Sequence, residues 1–484
     1  MKVTIDGQSI EVAPGTTILQ AARMIGGESV PPAMCYYSKL EKTGGKCRCC
    51  LVEVSKGSDA DPRPMPKLMA SCVTGCMDGM EVNSKNSDRV REARQSVTEF
   101  LLINHPLDCP ICDQAGECDL QDLSFEHGKS KTRFIEEKRT FELEDIGPNI
   151  QLHMNRCILC QRCVAVADQL TDNRVHGVLD RGDHANISTC ISKAIDNEFS
   201  GNMIDVCPVG ALTSKDFRFK QRVWFLESFD AICNGCSKGC NIYVDHRKEK
   251  YKDDKIFRFR PRVNKSINGW FLCDEGRLSY TKEETNRFFT PILNKSEVSL
   301  NDALASMFKE LTTHNNILFV LSPNLSYEEI SNLKNLASKL NANVSGYSPD
   351  TFDSSFGDDY LRNSDKAVNR ASFKELEINE TKEYFEYSLN SSSLIIIFEN
   401  SYFENNLNLL KDKKVVSFFS HNCLTIGNSD ISIPVTSFYE KNGTYINCDN
   451  IKQKVISKMN KNNPMSTITS IIENLKSMIE KGAL

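Results

Sequence analysis

Alternation opens the chain. Residues 2–7 and 9–14, "KVTIDG" and "SIEVAP", alternate apolar and polar positions about a turn at Asp6-Gly7, which predicts a short β-hairpin. The segment "GTTILQAARMIGG" (15–27) then switches to helical spacing, with Thr16 or Thr17 as its cap and glycines at its end. A hairpin followed by a helix suits a small β-grasp domain. Further on, "SDRVREARQSVTEFLLINH" (87–105) places Val90, Ala93, Val97, Phe100 and Leu101 on one helical face. Pro106 stops that helix and leaves His105 at its end.

Beyond about residue 285 the texture changes. Short apolar runs, "NILFVLS" (316–322), "SLIIIFE" (393–399) and "VVSFFS" (415–420), are spaced by polar, helix-like segments. Continuous apolar runs of this length predict buried parallel strands in an α/β layer structure.

A chain of 484 residues should hold several domains. Its net charge of −5 gives no basic surface for a nucleic-acid partner. The apolar runs are too short to span a bilayer, and the first residues lack the basic end and apolar core of a signal peptide. The expectation is a cytoplasmic protein that reaches a membrane only through partners.

The twenty cysteines change this picture. Without a secretion signal they are expected to stay reduced, so a disulfide framework is not expected. Fifteen of them fall into four groups, and all but Cys423 and Cys448 precede residue 274. The first group is Cys35, "GGKCRCC" (44–50) and Cys72. Cys47 and Cys50 are preferred to Cys49, because two intervening residues let both sulfurs point inward. Plant-type [2Fe-2S] ferredoxins use a related spacing with a shorter first gap. A zinc ribbon would prefer two C-x2-C pairs, and one is present.

The second group is His105, Cys109, Cys112 and Cys118. A histidine after an apolar helix is ordinarily a capping or core residue, but three cysteines downstream make it a candidate ligand. A cluster with one neutral imidazole and a zinc site of three thiolates and one imidazole both fit this local pattern. The third group, Cys157, Cys160 and Cys163 followed by Cys207-Pro208, is the bacterial ferredoxin run that holds a [4Fe-4S] cubane. The fourth, Cys233, Cys236, Cys240 and Cys273, also fits one [4Fe-4S] cluster. Cys49, Cys76, Cys190, Cys423 and Cys448 read as ordinary packing or surface thiols. Four clusters in one chain mean electron relay. No dinucleotide fingerprint, phosphate loop or nucleophile–base set stands out, so no catalytic residue is expected.

The order of motifs resembles the large iron–sulfur subunit of respiratory complex I, proton-pumping NADH:quinone oxidoreductase. That is the G subunit of the bacterial enzyme and the 75 kDa subunit of the mitochondrial one. The stretches "NHPLDCPICDQAGECDLQD" (104–122) and "SGNMIDVCPVGALTSK" (200–215) carry the resemblance, which is strong over about residues 1–280. Beyond that, "SDISIPVTSFYEKNGTYIN" (429–447) is similar to a segment of the molybdopterin-oxidoreductase domain.

The resemblance implies an α+β multidomain chain. Residues 1–82 would form a β-grasp [2Fe-2S] ferredoxin domain, and 83–122 a helical [4Fe-4S] segment with one histidine and three cysteines as ligands. Residues 123–222 would form a ferredoxin-like [4Fe-4S] domain and 223–285 a [4Fe-4S] domain of molybdopterin-oxidoreductase type. Residues 286–484 would be a shortened α/β molybdopterin-oxidoreductase-like domain without pterin or molybdenum. The implied ligand sets are those four groups: one [2Fe-2S] and three [4Fe-4S] clusters. The fourth matches a cluster found in some bacterial members, off the main route.

The resemblance also implies partners: a flavin-bearing, NADH-binding subunit as donor and a further iron–sulfur subunit as acceptor. The chain would sit on the cytoplasmic side of a bacterial inner membrane, held through the complex without inserting into the bilayer. The alternatives are the relay subunit of an NAD-linked hydrogenase or formate dehydrogenase, and a zinc-bearing scaffold.

Overall fold

The computed structural model describes residues 1–171, 175–189, 193–462 and 465–480. Cys190, expected to be an ordinary thiol, lies outside the described residues. The chain divides into two units, Met1–Phe225 and Leu226–Leu484.

The first unit opens with the expected hairpin, Lys2–Ile5 antiparallel to Gln8–Glu11. Strand Met80–Asn83 pairs in parallel with Lys2–Ile5, and Leu51–Lys56 lies on its other side. Helix Ile18–Ile25 begins where a capping box closes it: the Thr17 hydroxyl accepts from the Gln20 N–H, and the Gln20 side chain accepts from the Thr17 N–H. Its buried Ile18, Ala21 and Ala22 pack on Val3, Ile5, Val52, Val54, Met80 and Val82. Hairpin, helix and mixed sheet together make the β-grasp arrangement.

Helix Asp88–Leu102 departs from the expected face. Its fully buried residues are Val90, Arg94 and Thr98, while Phe100 is 74% exposed. Nη2 of the buried Arg94 guanidinium donates to the Ser84 hydroxyl and the Leu51 carbonyl, so a polar stripe faces inward. Counting apolar residues therefore misplaces the face at Phe100, although Val97 and Leu101 do pack against buried neighbours. The remainder of this unit is held by short antiparallel pairs. Ile150–Leu152 pairs with Leu212–Ser214, and His176–Leu179 with Asn186–Thr189.

The second unit begins with three antiparallel strands, Glu227–Ile232, Asn241–Lys248 and Asp254–Pro261. A seven-stranded sheet follows. Its parallel core is Asn343–Ser345, Ile317–Leu321, Leu394–Phe398, Lys414–Phe419 and Ile431–Pro434, in that spatial order. The three apolar runs of the sequence are thus adjacent strands. Ile317, Phe319 and Leu321 enter one hydrophobic cluster, and Leu318 and Val320 enter another. Both faces of the sheet are covered, which is why these strands read as unbroken apolar runs.

Candidate metal centres

The loop between Cys35 and Cys50 winds through positive φ at Gly44 (113°), Gly45 (72°) and Arg48 (66°). This curvature turns backbone N–H groups inward. Lys46 and Cys47 donate to the Cys35 Sγ at 3.3 and 3.4 Å, and Gly45 donates to the Cys72 Sγ at 3.2 Å. The Cys50 and Cys72 sulfurs are 3.3 Å apart. Hydrogen bonds from the Cys47 and Cys72 thiols hold Cys35 far below the ordinary thiol range. All four expected sulfurs of this group therefore converge. Cys49 is buried beside Met34, Leu120, Leu123 and Val209, in an apolar cluster.

His105 follows helix Asp88–Leu102, Cys109 opens a single 3-10 turn, and Cys118 caps helix Asp119–His127. His105, Cys109, Cys112 and Cys118 line one cavity, together with Arg156 and Gly210. Gly210 has no side chain to spare here, since a Cβ would lie 2.1 Å from the Cys112 Sγ. The His105 Nδ1 is buried with no hydrogen-bond partner among the described residues. Burial, aided by Arg156 and Lys138, pushes His105 down to about 4, so its imidazole is neutral and able to ligate at pH 7. Asp108, beside Cys109, is clamped by Arg156 through Nε at 3.1 Å and Nη2 at 2.9 Å.

In the third group, Leu159 and Gln161 take φ of 54° and 61°, wrapping the backbone round its own sulfurs. The Cys157 Sγ accepts the Leu159 N–H at 3.3 Å. Cys157, Cys160, Cys163 and Cys207 line a single small cavity, walled by Leu152, Ile187 and Leu212. Burial pushes Cys157 and Cys160 up to about 12, and Cys163 well above the thiol range with help from the charges of the other three. The pairing of Ile150–Leu152 with Leu212–Ser214 brings Cys207 back to the earlier triplet.

Cys233, Cys236, Cys240 and Cys273 are all buried in the second unit. The Cys233 N–H donates to the Cys240 carbonyl at 2.7 Å, and Cys273 caps helix Asp274–Leu278 through its sulfur. A Cβ at Gly276 would lie 2.9 Å from the Cys233 Sγ and 3.2 Å from the Cys273 Sγ. Burial first, then the other three sulfurs, raise Cys240 well above its ordinary value.

These donor sets fit iron–sulfur clusters: three sets of four thiols, a fourth of three thiols and one neutral imidazole, most of them buried although Cys109 is exposed, and glycines where a side chain would enter the ligand space. Among the described residues no three His, Cys, Asp or Glu side chains close on a single-ion site. A polynuclear cluster spreads its ligands around several irons. Such clusters would supply one-electron transfer, and the chain would supply the sulfur ligands and the N–H donors to them. Cys76 is buried, Cys423 is half-buried and Cys448 is exposed. Sequence reasoning missed the steric roles of Gly210 and Gly276 and the arginines beside the ligands. The "PVGAL" stretch after Cys207 held the one legible hint.

Four family descriptions match along the chain. They are a 2Fe-2S iron-sulfur cluster binding domain over residues 1–87 and the NADH-ubiquinone oxidoreductase-G iron-sulfur binding region over 94–133. The ferredoxin-like domain of NADH-quinone oxidoreductase subunit 3 covers 147–213, and the molybdopterin oxidoreductase Fe4S4 domain covers 226–283. The NADH-quinone oxidoreductase G subunit of Rickettsia felis is 40% identical over 74% of this chain and 51% of its own length. The NADH-ubiquinone oxidoreductase 75 kDa subunit of Reclinomonas americana is 39% identical over 79% of this chain and 53% of its own. The chain is similar to the NADH-quinone oxidoreductase G subunit over about three quarters of its own length.

It spans about half the length of the curated G-subunit and 75 kDa relatives it matches. Among solved structures, a chain of an NAD+-reducing [NiFe]-hydrogenase in the H2-reduced state is 28% identical, with a TM-score of 0.40. That match covers 46% of this chain and 90% of the hydrogenase chain. The chain thus carries 2Fe-2S and 4Fe-4S binding domains one after another along its first 283 residues. No helix among the described residues is long and apolar enough to cross a membrane.

Proposed function

We propose that this chain is an electron-relay subunit of an NADH:quinone oxidoreductase of the complex I type. It carries electrons from a flavin-bearing, NADH-binding subunit through its clusters towards quinone, in a complex that couples this flow to proton translocation. The observation that supports the reading is the approach of the Cys35-set sulfurs to one another, with one cavity lined by the His105 set and another by the Cys157 set, in a chain similar to the G subunit.

In this reading Cys35, Cys47, Cys50 and Cys72 bind a [2Fe-2S] cluster. His105, Cys109, Cys112 and Cys118 bind a [4Fe-4S] cluster, as do Cys157, Cys160, Cys163 and Cys207. Cys233, Cys236, Cys240 and Cys273 bind the last. The domain boundaries follow as 1–82, 83–122, 123–222, 223–285 and 286–484, the final domain without pterin. The acceptor is a further iron–sulfur subunit, and the chain is held peripherally on the cytoplasmic side of the membrane through its partners.

Iron content of anaerobically purified protein, with electron paramagnetic resonance after dithionite reduction, tests the reading. One binuclear and three cubane clusters give about 14 irons per chain. About 10 irons removes the fourth site, and zinc in place of iron removes the relay.

A further inference from the structure

A buried cation stands among three of these sites. Arg162, between Cys160 and Cys163, is 5% exposed. Its Nη2 donates to the carbonyls of Ala33 at 2.9 Å and Tyr36 at 3.2 Å, on either side of Cys35. Its Nη1 donates at 3.3 Å to the carbonyl of Val206, immediately before Cys207. The same nitrogen lies 3.5 Å from an Asp119 oxygen, immediately after Cys118. The guanidinium also lies over the Tyr37 ring, 5.2 Å from its centroid. One side chain therefore divides its donors among loops that carry ligands of the first, second and third groups.

A loop fastener alone could be neutral. Removing a guanidinium from water is costly unless a charge partner compensates it. Arg156 has such a partner in Asp108, held by two close contacts. Arg162 has one long contact to a carboxylate whose side chain is half exposed. Asp205 also acts at the Tyr37 ring that the guanidinium covers, while the backbone carbonyls orient the charge without adding a formal negative one. A cluster that takes up one electron gains one negative charge, and a nearby fixed cation favours that state, raising the reduction potential.

We infer that Arg162 is a positioning residue that sets the potentials of the first three clusters together, by fixing their loops and supplying positive charge between them. Each cluster takes one electron from its neighbour and passes it on; no bond forms or breaks, and the guanidinium keeps its protons. The inference rests on the relay reading above.

The test is a potentiometric titration of the cluster-loaded full chain followed by electron paramagnetic resonance, in wild type, Arg162→Gln and Arg162→Lys. Iron in the wild-type chain is measured first, so failure of the relay reading shows there as zinc or absent iron. Arg162→Gln should lower all three midpoints, with the reduced-to-oxidised ratio at fixed potential falling at least tenfold, about 59 mV for a one-electron couple. Arg162→Lys keeps a charge near Cys160 and Cys207 but is too short to hold the Ala33 and Tyr36 carbonyls. It should retain the third midpoint and lower the first. An iron-replete Arg162→Gln chain with wild-type midpoints overturns the inference. So does an Arg162→Lys chain whose first-cluster midpoint has not moved, whether or not the Gln variant assembles.

Discussion

Gly210 and the Cys112 sulfur face each other so closely that a methyl group on Gly210 would stand 2.1 Å from the sulfur. The two residues belong to different ligand groups: Cys112 to the histidine-bearing one, Gly210 to the stretch that follows Cys207. The wall of one site is thus built from the loop that closes another.

Gly210→Ala should therefore empty the His105 site. The added carbon meets sulfur and the Gln114 Cβ, so the ligand must swing away. Iron should fall from about 14 to about 10 per chain, while the [2Fe-2S] signal persists. Full iron in this variant would show that Cys112 is not held against Gly210.

Cys47 and Cys49 should behave oppositely. The Cys47 thiol hydrogen-bonds to the Cys35 sulfur, and Cys49, although next to it, is itself a buried member of the cluster of Met34, Leu120 and Leu123. Cys47→Ala is expected to abolish the [2Fe-2S] signal. Cys49→Ala should retain it, and visible circular dichroism of the two variants decides the pair.

The fourth site offers a second steric probe. Gly276→Ala places a carbon 2.9 Å from the Cys233 sulfur and 3.2 Å from the Cys273 sulfur. The expected result is loss of about 4 irons, with the other clusters unchanged in their paramagnetic spectra. A variant that loses every cluster would instead mean a folding defect throughout the chain.

Glu440 and Arg287 give a pH signature in the second unit. Arg287 Nη1 and Nη2 donate to the two Glu440 oxygens at 2.7 and 2.8 Å. Burial alone would raise the carboxyl, but Arg287 and then Lys461 outweigh it and bring Glu440 from 4.5 to about 2. The folded value lies below the unfolded one. Its stabilisation is accordingly complete above about pH 4.5 and is lost as pH falls towards 2. Glu440→Gln should destabilise this unit by about 3–5 kcal/mol at pH 7, because it leaves Arg287 buried without its charge partner. Hydrogen exchange in residues 437–446 should quicken at pH 7, with a smaller further change between pH 4.5 and 2 than in wild type.

Much of this could be read directly from the residues. The hairpin, the Thr17 cap and the three apolar strands are local patterns, each decided within a few residues of itself. The C-x2-C pairs were legible for the same reason, since that spacing is a property of one loop, whereas Cys72, Cys207 and Cys273 lie far along the chain from their pairs. The buried face of helix Asp88–Leu102 was not, because Arg94 is made tolerable inside by Ser84 and Leu51, which are far from it in sequence. Arg162 sits in plain view in "CQRC", yet its significance lies in Ala33, Tyr36 and Val206, which only the folded chain brings to it. The constraint on Gly210 likewise appears only when residues 112 and 210 meet.

The late loop at 207–210 also imposes an order of manufacture. As the chain leaves the ribosome, the first thiol set and its supporting strand Met80–Asn83 are complete while everything beyond is still unsynthesised. The next two cavities both wait for one short piece: Cys207 finishes the ferredoxin-type set, and Gly210 walls the histidine-bearing one. A nascent chain halted before residue 207 can hold one finished ligand set at most, and releasing a few more residues finishes two at once.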